Sequence, residues 1–322
     1  MVCNTQKALP SRQDWHFSFL LPQHTINRRG GIILKLILKH LALAAMIGLA
    51  LIPLGGSKDS QAASQPYVRS TTPTLFFHGW GSSARAEEQM TNYARRHGVT
   101  KTIVQADVSA AGKVTWHGTI KAGAINPIIE VNLQNNKSVT GREADLAGAY
   151  AKSSNYVKAV VTAMQKRYGF TTMNLVGHSM GNLQIAYYLA TNANDPHLPR
   201  LVHQVSIAGH YNGLVGEANT EQINLLGPHH RPQHFLPEYQ GLSGLRHRFP
   251  TSAQVLNIYG DLNNSTHSDG DVPVNSARSY QYLVSDRAQS YHELKITGRQ
   301  AQHSRLHENH QVDQALVNFL WR

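Results

Sequence analysis

The chain has 322 residues, of which 41% are hydrophobic, so it can bury a sizeable core and its composition argues against disorder. Its single cysteine, Cys3, argues against an intramolecular disulfide or a cysteine-based metal site. Residues 1–62 carry seven Lys/Arg and two acids, which is +5 of the net charge of +11. The remaining +6 is spread over residues 63–322 without a dense basic run. Because no nucleic-acid motif accompanies this charge, we predict no nucleic-acid binding. Mild attraction to an acidic wall or membrane remains compatible with it.

Residues 1–62 have the organisation of an export signal: a basic segment, an apolar stretch over 41–54, and a polar segment of small residues that ends at Ala62. The apolar run is shorter than the roughly 20 residues that a spanning helix needs. The alternative is an uncleaved signal anchor over 32–54. With either, we predict an extracytoplasmic body, secreted or attached to the cell surface or membrane, after a linker at 63–73.

From residue 74 onward, apolar runs predict strands that alternate with helical patterns. A long helix is predicted over Arg142–Tyr168, ending at Gly169. The predicted strands lie, in chain order, in "TLFFHGWG", "TIVQADVS", "KVTWHGTI", "PIIEVNLQ", "TTMNLVGHSM", "LVHQVSIAGH", "AQVLNIYGD" and "YHELKITG", and the last helix in "VDQALVNFLW".

Near-continuous apolar strands separated by helices predict an α/β fold with a mostly parallel central sheet and helices on both faces. The third and fourth strands are predicted to form a pair joined by a Gly/Asn/Pro turn. Residues 211–250 interrupt the rhythm with Gly, Pro, His and Asn, so we predict a cap or lid there within a domain spanning 74–322.

The segment Gly177-His178-Ser179-Met180-Gly181 lies between an apolar strand-like run and a helical run. This context is typical of the nucleophile elbow of α/β-hydrolases, in which a serine occupies a sharp strand-to-helix turn. Glycines two residues before and after the serine avoid a collision with the adjoining strand and helix. We therefore predict Ser179 as nucleophile, with Gly177 and Gly181 as the elbow glycines.

Two backbone N–H groups are candidates for an oxyanion hole. The N–H of Met180 follows the nucleophile at the start of a helix. The N–H of Trp80 lies in the "HGWG" turn after the first strand, where a second donor is expected.

In this fold the order of the triad is serine, acid, histidine. The acid should follow the next-to-last strand, where "SDGDVPVNS" makes Asp269 the first choice and Asp271 the second, with Asp261 third. The base should follow the last strand, and His303 is the first of three histidines in that loop. The two others, His307 and His310, are predicted to be solvated or capping residues.

No metal and no cofactor are predicted. The densest histidine group, His229, His230 and His234, has no established zinc spacing. The loop over 261–272 lacks the glycine and the final glutamate that an EF-hand calcium loop requires.

The blocks "LFFHGWGSSARAEEQM", "NLVGHSMGN", "VLNIYGDL" with "SDGDVPVNSARS", and "AQHSRLHENHQV" resemble the exported or cell-surface α/β-hydrolases of Gram-positive bacteria. This esterase-like family has long been described as one of unknown function. The resemblance covers about residues 70–322 and implies the triad Ser179, Asp269 and His303, the Trp80 and Met180 donors, and an extracytoplasmic location.

We therefore predict a serine hydrolase that cleaves small or medium acyl esters through an acyl-enzyme on Ser179, with a small-molecule ester as its partner. Acyl transfer or peptide hydrolysis could use the same triad. The alternative from another class is a catalytically silent module that uses this fold to bind a wall polymer or a partner protein.

Overall fold

The computed structural model of the protein describes residues 67–141, 143–217 and 225–322. The predicted export segment, and the first residues of the predicted linker, lie outside these ranges. Within the described ranges, no helix combines the length and the apolar character that crossing a membrane requires.

The core of the structure is an eight-stranded sheet with the strand order β3-β2-β4-β1-β5-β6-β7-β8. Every neighbouring pair is parallel except β2 with β3. The strands are β1 (Thr74–Phe77), β2 (Ile103–Val108), β3 (Val114–His117), β4 (Ile128–Leu133), β5 (Thr172–His178), β6 (Arg200–Ile207), β7 (Gln254–Asp261) and β8 (Ser290–Thr297).

Helices cover both faces of this sheet. The helices of the described residues are α1 (Glu88–Arg96), α2 (Leu146–Ser153), α3 (Asn155–Tyr168), α4 (Met180–Asn192), α5 (Pro237–Gly241), α6 (Leu245–Arg248), α7 (Val274–Arg278), α8 (Tyr280–Val284) and α9 (His310–Trp321). Buried residues of α1 and α9 pack with Phe76 of β1, whereas those of α2, α3 and α4 pack with Leu75 and Phe77. Since successive strand residues point to opposite faces, the two helix groups lie on opposite sides. The predicted fold class is confirmed.

The predicted pairing of the third and fourth strands is wrong. β3 pairs antiparallel with β2, and β4 lies between β1 and β2. The cause is local: Ser109 N–H donates to the Lys113 carbonyl at 2.9 Å, which closes a tight turn from β2 directly into β3. β3 is a half-exposed edge strand, while β4 is buried along almost its whole length, as a central parallel strand should be.

The long predicted helix is two helices. It begins at Leu146 rather than Arg142, where the Asp145 side chain accepts a hydrogen bond from the Gly148 N–H at 2.8 Å and caps α2. α2 and α3 are separated at Ser154, whose hydroxyl donates to the Ala151 carbonyl at 2.7 Å. The predicted end at Gly169 is confirmed.

The described part of residues 211–250 contains α5 and α6 and a short 3₁₀ turn at Pro228–His230. Tyr239 of α5 and Leu245 of α6 are fully buried in the main core, so this part of the chain packs firmly on the sheet layer. Its action as a cap stays a prediction.

Candidate active site

Ser179 occupies a strained turn between β5 and α4. Its φ of 51° and ψ of −120° lie in a backbone region that residues other than glycine rarely adopt. The strand ends at His178 and the helix begins at Met180, so the serine alone forms the corner. Only 8% of Ser179 is exposed, and that surface opens into a cavity.

The two elbow glycines make this corner possible. A Cβ atom at Gly177 would lie 2.6 Å from the Asn182 side-chain oxygen, and one at Gly181 would lie 2.4 Å from the Phe77 carbonyl oxygen. Real Cβ atoms do not approach so closely. The first contact is with the helix and the second with the neighbouring strand β1, which is the collision that the sequence pattern avoids.

His303 and Asp269 form a buried pair beside the elbow. The His303 Nδ1 atom lies 2.8 Å from Asp269 Oδ2, and the two side chains are 9% and 1% exposed. A second bond, from the His303 N–H to the Asp269 carbonyl at 2.9 Å, joins their main chains. Because an ionised carboxylate only accepts hydrogen bonds, Nδ1 carries a proton and neutral His303 keeps a free lone pair on Nε2.

The aspartate also sets the basicity of the ring. Burial by itself would lower the pKa of His303, but the hydrogen bond to Asp269 and the charges of Asp269 and Asp271 outweigh it and raise this pKa above its ordinary value. A raised pKa makes His303 a stronger base toward the proton of a serine hydroxyl.

The other two candidate acids do not contact the His303 ring. The Asp271 N–H donates to Asp269 Oδ1 at 3.0 Å, as does the Val272 N–H at 2.7 Å, so this turn holds the Asp269 carboxylate in place. Asp261 pairs with Lys295 at 2.7 Å. Of the three aspartates, the structure thus brings Asp269 to the histidine.

Ser179 and His303 line one cavity of about 450 Å³. No hydrogen bond joins their side chains in the described structure, which is common before a substrate is bound. The remaining lining residues are Gly79, Trp80, Ser82, Val139, Thr140, Gly141, Leu146, Tyr150, His178, Met180, His210, Leu214, Val215, Glu217, Glu238, Asp271, Ser304 and His307.

The "HGWG" turn passes directly beside Ser179. A Cβ atom at Gly79 would lie 3.1 Å from the Ser179 Cβ atom, which is tighter than most real Cβ contacts, so a larger residue there would press on the serine. The N–H of Trp80 hydrogen-bonds to no described residue, and the N–H of Met180 is the first of α4. Both predicted donors therefore lie next to Ser179 with their hydrogens unused.

His78 fixes the direction of one of these donors. Its Nε2 atom accepts from the Leu133 N–H at 3.0 Å, so Nδ1 carries the proton and donates to the Gly79 carbonyl at 2.9 Å. In a planar trans peptide the carbonyl and the following N–H point in opposite directions. Holding the Gly79 carbonyl therefore aims the Trp80 N–H, a role that the sequence analysis missed.

Residues 61–322 match the model of a protein family described as alpha/beta hydrolases of unknown function (DUF915). The chain belongs to this family. The predicted family resemblance is confirmed. No protein with curated annotation matches the chain.

Two solved structures are similar to this α/β-hydrolase. The product of the gene lin2722 from Listeria innocua is 25% identical in sequence and has a TM-score of 0.69. The alignment covers 78% of this chain and 94% of the Listeria chain. A protein from Lactobacillus plantarum, named as a candidate cell surface hydrolase, is 21% identical in sequence and has a TM-score of 0.60. The alignment covers 77% of this chain and 89% of the Lactobacillus chain. Both share the fold, and neither name states a substrate.

Two further histidines of the α/β-hydrolase lie beside the Asp269–His303 pair. The Nε2 atom of His178 lies 3.1 Å from the His303 carbonyl oxygen. Burial lowers the pKa of His178 well below its usual value, and the rings of His303 and His307 lower it further, so His178 is neutral and donates this bond from Nε2. His307 meets the His178 ring edge-on at 4.9 Å.

The prediction that His307 is a solvated or capping residue is wrong, because only 14% of its side chain is exposed and it lines the cavity. The 3₁₀ helix His303–Glu308 turns it inward, and the sequence did not indicate that helix. His310 is solvated as predicted, with a side chain 80% exposed.

We expect His178 to hold the loop that carries the base. His178→Phe, which keeps a ring but loses the donor, should lower kcat about 10- to 100-fold with little change in KM, because small displacements of a catalytic group are costly. His178→Gln keeps an N–H donor and should retain more of kcat. Equal kcat losses in both variants would show that packing, not the hydrogen bond, is what matters.

No group of three or more described His, Cys, Asp or Glu residues is arranged to hold a metal ion.

The sequence analysis also missed three polar residues of the cavity wall: Tyr150, His210 and Glu238. They come from α2, from the loop after β6 and from α5, so only the folded chain brings them together.

Proposed function

We propose that this α/β-hydrolase is a serine carboxylesterase with Ser179 as nucleophile, His303 as general base and acid, and Asp269 as the residue that orients His303. The observation that carries the proposal is the buried Asp269–His303 pair, 2.8 Å apart, which opens onto the same cavity as the strained Ser179 corner. The N–H groups of Trp80 and Met180 are the proposed oxyanion hole.

In the proposed acylation, Ser179 Oγ attacks the ester carbonyl carbon while His303 Nε2 takes the hydroxyl proton. The carbonyl oxygen becomes an oxyanion and accepts hydrogen bonds from the Trp80 and Met180 N–H groups. When the tetrahedral intermediate collapses, the carbon–oxygen bond to the leaving group breaks. His303 Nε2–H protonates that oxygen, and an alcohol departs.

Deacylation repeats these steps with water as the nucleophile. His303 Nε2 removes a proton from water, the hydroxide forms a bond to the acyl carbon, and the bond to Ser179 Oγ breaks. The proton returns to Ser179, and a carboxylic acid is released. Throughout, Asp269 stabilises the positive charge that His303 carries transiently.

The cavity volume of about 450 Å³ supports small or medium acyl groups, since it lies at the low end for sites that take drug-sized ligands. The proposed extracytoplasmic location is supported by the export-signal pattern of residues 1–62.

The proposal is tested with a fluorophosphonate probe and a substrate panel on the protein from residue 63 onward. The probe should label the wild type and not Ser179→Ala. In a panel of p-nitrophenyl esters and aminoacyl anilides, the esters should be cleaved with the higher kcat/KM. A folded wild type that is not labelled would favour the silent binding module. Preferred cleavage of the anilides would favour a peptidase.

The pH dependence of kcat/KM follows from the raised pKa of His303. Protonated His303 cannot accept the Ser179 proton, so activity should fall as the pH is lowered through a midpoint above 6.5, the ordinary histidine value. A pH series from 4 to 9 with a fast p-nitrophenyl ester measures this midpoint. A rate that stays constant down to pH 4 would contradict the role of His303.

A further inference from the structure

Glu238, an almost fully buried acidic residue, lines the cavity that contains Ser179. The residue is 2% exposed and lies in the short helix α5. Its Oε2 atom is buried and has no hydrogen-bond partner among the described residues. The other oxygen accepts a hydrogen bond from the main-chain N–H of Glu238 itself. Within residues 67–141, 143–217 and 225–322, the ion pairs of lysine and arginine involve acids other than Glu238. A buried carboxylate oxygen without a partner is costly, and buried acids with a shifted pKa concentrate at functional sites.

The environment keeps this group close to its titration point. Burial raises the pKa of Glu238 to about 7, and the charge of Glu217 acts in the same direction. At neutral pH the protonated acid and the carboxylate are therefore both populated. A positive charge next to the group would favour the carboxylate.

Among the residues that the structure describes, the other titratable groups around Glu238 do not supply that positive charge. Tyr187 donates its hydroxyl to the Glu238 main-chain carbonyl at 2.8 Å. Tyr150 bonds to His210 Nε2 at 2.8 Å, and burial lowers the pKa of His210 to about 3, which keeps the ring neutral. Among the described residues that line the cavity, there are carboxylates and histidines but no lysine or arginine.

We infer that the cavity takes esters that carry a protonated amine, and that the Glu238 carboxylate binds this amine. The inference rests on the proposed esterase function and names a substrate class for it: aminoacyl or aminoalkyl esters. An ammonium group adds charge attraction to its hydrogen bonds in a site shielded from water, whereas a hydroxyl group offers only a neutral hydrogen bond and a methyl group offers none.

The first test compares the ethyl esters of β-alanine and butanoic acid, in which a methyl group replaces the ammonium group. The ratio of their kcat/KM values should be at least about tenfold higher in the wild type than in Glu238→Gln. The control Glu88→Gln, which removes an exposed charge outside the cavity, should keep the wild-type ratio. An unchanged ratio in Glu238→Gln overturns the inference while ester hydrolysis stands. If the kcat/KM of ethyl 3-hydroxypropanoate, relative to that of ethyl butanoate, depends on Glu238 as strongly as that of the β-alanine ester does, Glu238 binds a hydroxyl group instead of an amine.

The second test measures binding without chemistry. By NMR titration, butylammonium should bind the wild type more tightly than butan-1-ol does, and about tenfold more tightly than it binds Glu238→Gln. Wild-type affinity should fall as the pH is lowered from 8 to 6, because Glu238 becomes protonated. Protonation of His303 also repels a cation in this range, so the loss should be larger in the wild type than in Glu238→Gln.

The two tests separate this inference from the proposed function. Butylammonium binding that depends on Glu238, with no ester cleaved, would sustain the cation site and reject the esterase. Efficient ester cleavage without Glu238-dependent binding of butylammonium would sustain the esterase and reject the cation site. If Glu238→Gln does not fold, as judged by thermal melting, the comparison of butylammonium with butan-1-ol in the wild type still decides, and equal affinities overturn the inference.

Discussion

Replacing Ser179 by alanine should lower kcat by about 10⁶-fold while leaving KM nearly unchanged. The hydroxyl is the proposed bond-forming group, and the cavity, the Asp269–His303 pair and the two N–H donors all remain without it. The substitution removes one oxygen atom and keeps the Cβ atom, so the corner between β5 and α4 should keep its shape. Steady-state kinetics with an ester from the panel, at the pH of highest activity, measure the loss.

Ser304 provides a matched control, because it lines the same cavity and follows His303 directly. Ser304→Ala should change kcat by no more than about twofold, as expected for a surface position. If Ser179→Ala kept more than a small fraction of the activity, or if Ser304→Ala lost as much, Ser179 would not be the nucleophile.

Replacing Asp269 by asparagine should lower kcat by about 10⁴-fold. The asparagine amide can donate a hydrogen bond to Nδ1, which would place the ring proton on Nε2 and block the lone pair that must accept the Ser179 proton. The main-chain bond between residues 303 and 269 does not depend on this side chain, so His303 should stay in place. Kinetic constants together with the melting temperature distinguish lost chemistry from lost folding.

Asp271→Asn is the companion variant, since this aspartate contributes charge but no contact to the His303 ring. It should keep kcat within a few-fold and move the midpoint of the pH profile downward, because one of the charges that raise the pKa of His303 is gone. Should Asp271→Asn prove the more damaging of the two, the proposed acid would have to be reassigned.

The sequence was informative where a local pattern had a single geometric solution. The spacing of Gly177, Ser179 and Gly181 predicted a tight strand-to-helix corner, and the structure shows the contacts with Asn182 and Phe77 that require both glycines. The order of the strands along the chain likewise predicted which loops would converge at one edge of a parallel sheet.

The proposed acid was predictable as a position in the chain, but its contact with the histidine was not. The sequence offered Asp269 and Asp271 two residues apart. What distinguishes them is that the N–H groups of Asp271 and Val272 both donate to Asp269, which fixes its carboxylate toward the histidine. Such a choice depends on loop geometry, which residue spacing alone does not determine.

Two features of the fold escaped the sequence analysis. The pairing of β3 with β2 was missed because the Gly, Asn and Pro residues between β3 and β4 suggested a turn that would pair those two strands, although β4 pairs with β1 and β2. Glu238 lies in the segment predicted as a cap or lid, and nothing in that pattern indicated that it is buried. Tyr187, whose hydroxyl donates to the Glu238 carbonyl, and Tyr150, which lines the same cavity, both come from much earlier in the chain.

The corner at Ser179 implies that this protein gives up stability in order to hold its proposed nucleophile. At φ 51° a serine costs about 1–3 kcal/mol that glycine would not, and the well-packed residues on either side must compensate for it. A glycine at this position would therefore relax the backbone and raise the melting temperature of a protein that has lost its reactive hydroxyl. Thermal tolerance and turnover are opposed at this single residue, and selection for heat resistance alone would favour its loss.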